Sequence, residues 1–386
     1  MIPYGKQSIN QQDIDAVIEV LQSDFLTQGP QVPAFERAVA DYCGARHALA
    51  VNSATSALHL ACLALELRQG DWLWTSPITF VASANCGLYC GAQVDFVDID
   101  PRTYNLCPEK LRIKLEQAAK AKRLPKVLVA VHLCGQPCDM QAIHVLSLEY
   151  GFYIIEDASH AIGGRYQNQP IGNCRYSDIT VFSFHPVKII TTAEGGMLLT
   201  NSSPLAEKMD LLRSHGITRN PALMTQELDG PWYYQQIELG YNYRMTELQA
   251  ALGLSQMQRL DAFVTRRHEL AQAYHQQLAD LPLTLPWQHQ DSYSGMHLYV
   301  IRLQLEELSK IHRQVFEELR AAGLGVNLHY IPVHKQPYYQ NLGFKQGDFP
   351  EAEKYYQEAI SIPMFHGMSD EQQKQVIQIL RQVLAA

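Results

Sequence analysis

No stretch of this chain concentrates positive charge. Its 386 residues carry 31 Lys and Arg against 39 Asp and Glu, a formal net charge of −8, so no electrostatic footprint marks a nucleic-acid or anionic-membrane partner. Any phosphate must be met locally. The opening Met-Ile-Pro-Tyr-Gly-Lys-Gln has neither a basic start nor a long apolar stretch, so no secretory leader is expected and the cytoplasm is the default compartment. The longest charge-free run, Trp72 to Val94, contains Pro77, Asn85 and several Ser and Thr, which predicts burial as strand and helix and not a membrane span. Internal repeats and low-complexity linkers are also lacking, so the domains are expected to pack tightly. No G-x-G-x-x-G follows the first predicted strand, which leaves a dinucleotide-binding dehydrogenase without support.

Cysteine is present but unpatterned. All eight lie between Cys43 and Cys174, several of them in apolar surroundings such as Cys62, Cys86 and Cys90, and they read as small buried hydrophobes, not as a disulfide framework. Cys134-Gly-Gln-Pro-Cys138 has the wrong interior spacing for a CxxC redox motif and lacks a second metal-ligand pair. His329 and His334 are spaced like metal ligands, yet no carboxylate accompanies them, so no metal is expected.

Against these absences stands an ordinary globular composition, 47% hydrophobic and 18% charged, in a chain long enough for two cores. Gln11 to Leu21 predicts an amphipathic helix with Ile14, Val17, Ile18 and Leu21 on its apolar stripe. Strands at Ala48–Val51, Trp72–Thr75, Val94–Asp98, Val127–His132 and Tyr153–Ile155 alternate with helices, among them one over Thr79–Tyr89 and one over Met140–Tyr150. That alternation predicts an α/β layer with a largely parallel sheet over residues 1–245. Beyond it, a long helix over Thr246–Gln277, a strand at Tyr299–Leu303 and helices from Ile311 and Ser369 predict a smaller α+β domain, 246–386.

Sites in parallel sheets lie beyond the carboxyl ends of the strands. Three features fall there. Asn52-Ser-Ala-Thr-Ser56 is a small-hydroxyl turn opening a helix, suited either to plain N-capping or to aiming backbone N–H groups at a phosphate. Asp157 ends the strand Tyr-Ile-Ile-Glu-Asp, as a helix cap or as the partner of a protonated ring nitrogen. Lys188 follows Phe-Ser-Phe-His-Pro-Val on the connection to a second apolar run after Glu194-Gly195-Gly196. A lysine among apolar groups has a lowered pKa and an amine free to act as nucleophile. Lysine and aspartate together are the protein groups that pyridoxal phosphate requires.

Glu-Asp-Ala-Ser-His160, Phe-Ser-Phe-His-Pro-Val-Lys188 with Glu-Gly-Gly196, Val-His-Leu-Cys-Gly-Gln-Pro137 and Gly-Tyr-Asn-Tyr-Arg-Met-Thr-Glu-Leu-Gln249 resemble the signatures of the nucleotide-sugar aminotransferases. The resemblance runs from Tyr4-Gly-Lys-Gln and Leu26-Thr-Gln-Gly-Pro30 to Ile362-Pro-Met-Phe365. It implies a fold-type I pyridoxal phosphate enzyme: a large α/β domain whose mostly parallel mixed sheet lies between helices, plus a smaller C-terminal domain. Val51-Asn-Ser-Ala-Thr-Ser-Ala-Leu and Trp74-Thr-Ser-Pro-Ile-Thr-Phe-Val-Ala-Ser-Ala-Asn85 are most similar to the pseudaminic acid branch. That branch aminates C4 of a UDP-linked 4-keto-6-deoxy-N-acetylhexosamine of the L series with L-glutamate, pyridoxamine phosphate linking the two half-reactions.

By this resemblance Lys188 anchors the cofactor and shuttles protons, Asp157 meets the pyridine nitrogen and Phe80 stacks on the ring. Ala54, Thr55 and Ser183 hold the phosphate, joined by Asn242 from the second subunit of a homodimer, and His160 lies near the ring oxygen. Tyr4, Lys6, Thr27, His329 and Tyr330 would meet the sugar nucleotide. A D-series 4-ketosugar is the alternative substrate. The dehydratase branch carries histidine at the lysine position, so Lys188 argues against it.

Overall fold

The computed structural model describes residues 1–385. A seven-stranded sheet forms its centre: β1 (His47–Val51), β2 (Trp72–Thr75), β3 (Gln93–Phe96), β4 (Val127–Val131), β5 (Tyr153–Asp157), β6 (Ile179–Ser183) and β7 (Gly196–Thr200). Their order across the sheet is β1-β7-β6-β5-β4-β2-β3. All neighbours pair in parallel except β7, which runs antiparallel to both β1 and β6. Strands β4 and β6 are buried along their whole length, as expected of a sheet covered by helices on both faces. This is the largely parallel α/β sheet that the sequence alternation predicts, and its one antiparallel strand makes it the mixed sheet that the family resemblance implies.

The covering helices are α1 (Gln11–Leu21), α2 (Gln31–Cys43), α3 (Ala54–Ala64), α4 (Ala82–Tyr89), α5 (Pro108–Ala121), α6 (Met140–Tyr150), α7 (Ser203–Arg213), α8 (Glu247–Met257) and α9 (Leu260–Leu278). Two differ from expectation in extent. The long helix expected over Thr246–Gln277 is broken at Gln258–Arg259, where Arg259 leaves helical geometry and its guanidinium meets buried Asp13. The helix expected from Thr79 begins only at Ala82, so Phe80 sits on the turn before α4.

A third difference concerns which face of α1 is inside. Ile14, Ile18 and Leu21 are 42–57% exposed, whereas Asp13 and Val20 are buried. Asp13 accepts hydrogen bonds from Ser255, Gln256 and Arg259. A buried carboxylate needs such partners, and they lie on α8 and at its end, so the polar side of α1 turns inward. The eight cysteines are all free, and five of them are buried.

A second core gathers residues of α9, the helices His312–Ala321 and Asp370–Ala385, and a three-stranded sheet of Leu283–Thr284, Tyr299–Leu303 and Ala359–Ile362. Ile2–Pro3 pairs with Leu324–Gly325 and joins this core. That pairing carries Tyr4 to the segment Asn327–Tyr330. No helix among the described residues is long and apolar enough to cross a membrane.

Candidate active site

The antiparallel β7 decides where the lysine loop falls. Gly196 opens β7 opposite both Val51, the end of β1, and Ser183, the end of β6, so the 184–195 connection lies at the carboxyl edge of the parallel strands. Several hydrogen bonds shape that loop. Phe184 N–H donates to the Gly195 carbonyl at 2.9 Å, and Thr192 N–H and the Thr191 hydroxyl both donate to the Phe184 carbonyl at 3.0 Å. Ile189 and Ile190 are buried, which anchors the turn on which Lys188 stands.

A cavity of about 600 Å³ opens at this edge, and its lining includes Ala54, Thr55, Phe80, Asp157, His160, Ser183 and Lys188 together with Tyr4, Asn327, His329 and Tyr330. Ten of the thirteen residues expected from the sequence therefore meet in one place. Lys6, Thr27 and Asn242 do not; all three are exposed. Asn242 instead accepts, through its carbonyl, a hydrogen bond from the Asn52 amide. His334 also stands apart, since its Nε2 lies 3.0 Å from the Glu353 carboxylate. A carboxylate does accompany that histidine, but it is brought there by folding.

The turn into α3 could receive an anion. Ser53 caps the helix by accepting from Ser56 N–H at 3.1 Å, while the N–H groups of Ala54 and Thr55, in the first turn, have no intrahelical acceptor. Both residues line the cavity. The helix dipole adds to the preference for negative charge there. Gly196 keeps the turn in place: a Cβ there would come within 2.6 Å of the Ser53 carbonyl carbon and 2.7 Å of Ala54 N. Gly196→Ala should thus push β7 off the turn, lowering stability by about 2 kcal/mol or more and weakening phosphate binding. Calorimetry with and without pyridoxal phosphate checks both.

Asp157 is 6% exposed. Ser83 Oγ donates to its Oδ2 at 2.6 Å, and Ser159 donates to its Oδ1 through both Oγ at 2.6 Å and N at 3.2 Å. Burial lowers the Lys188 amine from its usual range to about 8, with Asp157 and Cys134 acting the other way. Three histidines line the same cavity, and burial pushes each one down: His160 and His297 well below the ordinary value, His329 to about 4. They therefore face Lys188 as neutral rings. His160 Nδ1 accepts from the Cys134 N–H at 3.2 Å, which puts the ring proton on Nε2, 3.2 Å from the Tyr330 hydroxyl. The imidazole thus presents a single donor, and Tyr330 takes it.

Phe80 is 58% exposed, with its ring centroid 6.2 Å from that of Tyr330 at the cavity wall. Such a ring is costly to leave in water and is suited to cover a flat ligand. The sequence did not single out Ser83, Ser159, Asn327 or His297. Ser159 had a local signal, two residues after an aspartate; Ser83 and His297 had none, because only the fold brings them to the site.

The chain as a whole is similar to known proteins. The chain is 39% identical to the spore coat polysaccharide biosynthesis protein SpsC of Bacillus subtilis, over 99% of this chain and 97% of that one. It is 36% identical to the UDP-4-amino-4,6-dideoxy-N-acetyl-beta-L-altrosamine transaminase of Campylobacter jejuni, over 96% of this chain and 94% of the relative. The solved structure of Helicobacter pylori PseC, an aminotransferase involved in the biosynthesis of pseudoaminic acid, superposes with a TM-score of 0.90 at 31% identity, covering 100% of this chain and 99% of that one. The sequence pattern of the DegT/DnrJ/EryC1/StrS aminotransferases matches residues 7–381, and the chain belongs to that family.

Proposed function

We propose that this sugar aminotransferase moves the amino group of L-glutamate to C4 of a UDP-linked 4-keto-6-deoxy-N-acetylhexosamine of the L series, the amination step of pseudaminic acid biosynthesis, using pyridoxal phosphate on Lys188. The observation that carries the reading is the meeting of Lys188 and Asp157 in one cavity, beside a helix N-terminus suited to a phosphate. Bound pyridoxal phosphate supplies an electron sink that lets an amino group leave one carbon and join another. The chain supplies the rest. Ala54, Thr55 and Ser183 would hold the phosphate, Asp157 the pyridine nitrogen and Phe80 one ring face. Lys188 Nζ, with its pKa near 8, can take and return a proton near neutral pH. Tyr4, His329 and Tyr330 line the same cavity and would orient the sugar.

The same reading proposes a division near residue 245 and a two-fold dimer in which Asn242 reaches the partner's cofactor phosphate. Asn242 is exposed outside its own cavity, and Ile14, Ile18, Leu21, Phe25 and Leu26 present exposed apolar groups for a partner to cover. Lys6 and Thr27 lie near those groups in the chain, so a dimer offers them a place at a site as well.

The identity to a spore coat polysaccharide protein, 39%, is no lower than the 36% to the altrosamine transaminase, so a D-series UDP-4-ketosugar stands as the second reading. Incubation with glutamate and UDP-4-ketosugars of both series, read by mass and NMR, separates them. Amination at C4 of the L-series sugar is expected. Turnover of D-series sugars alone replaces the substrate, and no turnover of either overturns the reading.

A further inference from the structure

Asp157 is held by a device that the reaction as described does not use. Ser83 stands on α4, fully buried, 74 residues away from Asp157 in the chain. Its Oγ lies 2.6 Å from Asp157 Oδ2 and 2.7 Å from the hydroxyl of Thr79, itself 2% exposed. Proton counting orders this chain. A carboxylate can only accept and each hydroxyl has one hydrogen, so Ser83 donates to Asp157 and Thr79 donates to Ser83.

On the other oxygen, Ser159 makes the local two-residue turn open to any aspartate. Ser83 is different, because no local rule requires it. A carboxylate offers about four acceptor positions; Ser83 and the two Ser159 donors fill three, which leaves one to face the cavity. We propose that Ser83, seated by Thr79, is a positioning residue that aims the free lone pair of Asp157 at the pyridine nitrogen of the cofactor. This rests on the cofactor assignment made above.

The test uses equilibrium binding of pyridoxal phosphate to apoprotein, together with the pH titration of the visible absorbance of the lysine-linked cofactor. Ser83→Ala should bind pyridoxal phosphate about tenfold more weakly, the usual effect of losing one hydrogen bond to a charged group. Its titration midpoint should rise, because a carboxylate stripped of a donor carries more negative charge towards the protonated link. Ser83→Thr restores the hydroxyl and should restore both properties. Thr79→Val, which keeps the volume, should move both in the same direction by about a third as much on a logarithmic scale, and it decides the matter should Ser83→Ala not fold. Parental binding and titration in either folded variant, with only thermal stability lowered, would make the pair merely structural and overturn the inference. Absence of binding and colour in the parent protein would overturn the cofactor assignment instead.

Discussion

Lys188→Ala is expected to leave a folded protein with neither visible colour in pyridoxal phosphate nor measurable turnover, a loss of at least about 10⁴-fold in kcat. One side chain is asked for two things: to hold the cofactor covalently and to move the proton between carbon atoms. Truncation removes both, and no neighbour can substitute. His160, His297 and His329 are neutral rings whose pKa values burial pushes down, and the remaining partner, Asp157, is committed to three donors. Retained transamination in this variant would sink the assignment.

The parent protein gives the same residue a pH signature. Only the neutral amine attacks an aldehyde, and burial brings the Lys188 amine down to about 8. Capture of pyridoxal phosphate by apoprotein should therefore quicken about tenfold per pH unit below 8 and level off above it. Stopped-flow absorbance checks this. A rate still climbing steeply at pH 10 would place the amine in its ordinary range.

The second large effect concerns Asn242. Lys188→Ala and Asn242→Ala should each be inactive at limiting cofactor, yet co-expressed with two different tags they should recover activity. Random pairing makes about half of the dimers mixed, and each of these has one doubly damaged site and one intact site, so about a quarter of all sites work. Asn242 is exposed, lies outside the cavity of its own chain and is held at the end of β1 by Asn52 and by a bridge to Ser214. Were Asn242 to act within its own subunit, mixing would restore nothing.

Some elements were legible because their determinants are adjacent in the chain. α1 starts where Asn10 and Asp13 form a reciprocal capping box, and α6 starts where Asp139 caps Ala142 N–H and ends at the left-handed Gly151. Both helices have the ends that the sequence predicts. The break between α8 and α9 was not legible, since it contains neither glycine nor proline and depends on Arg259 reaching Asp13, 246 positions away. The inner face of α1 is not legible for the same reason: Ile14, Val17, Ile18 and Leu21 share one stripe, and only contact with Ser255, Gln256 and Arg259 turns Asp13 inward.

By itself the sequence determined the α/β alternation, the loop that carries Lys188, the strand that ends in Asp157 and the capped turn before α3, because each is encoded by neighbours within a few residues. Tertiary structure alone decided that these meet. The antiparallel insertion of β7 between β1 and β6 brings the lysine loop to the carboxyl edge, and the pairing of Ile2–Pro3 with Leu324–Gly325 delivers Tyr4 to the same cavity. Ser83 reached Asp157 in the same way, through the packing of a helix on a sheet. Strand order and helix packing are settled by burying apolar area over the whole chain, a sum that no local stretch of residues contains.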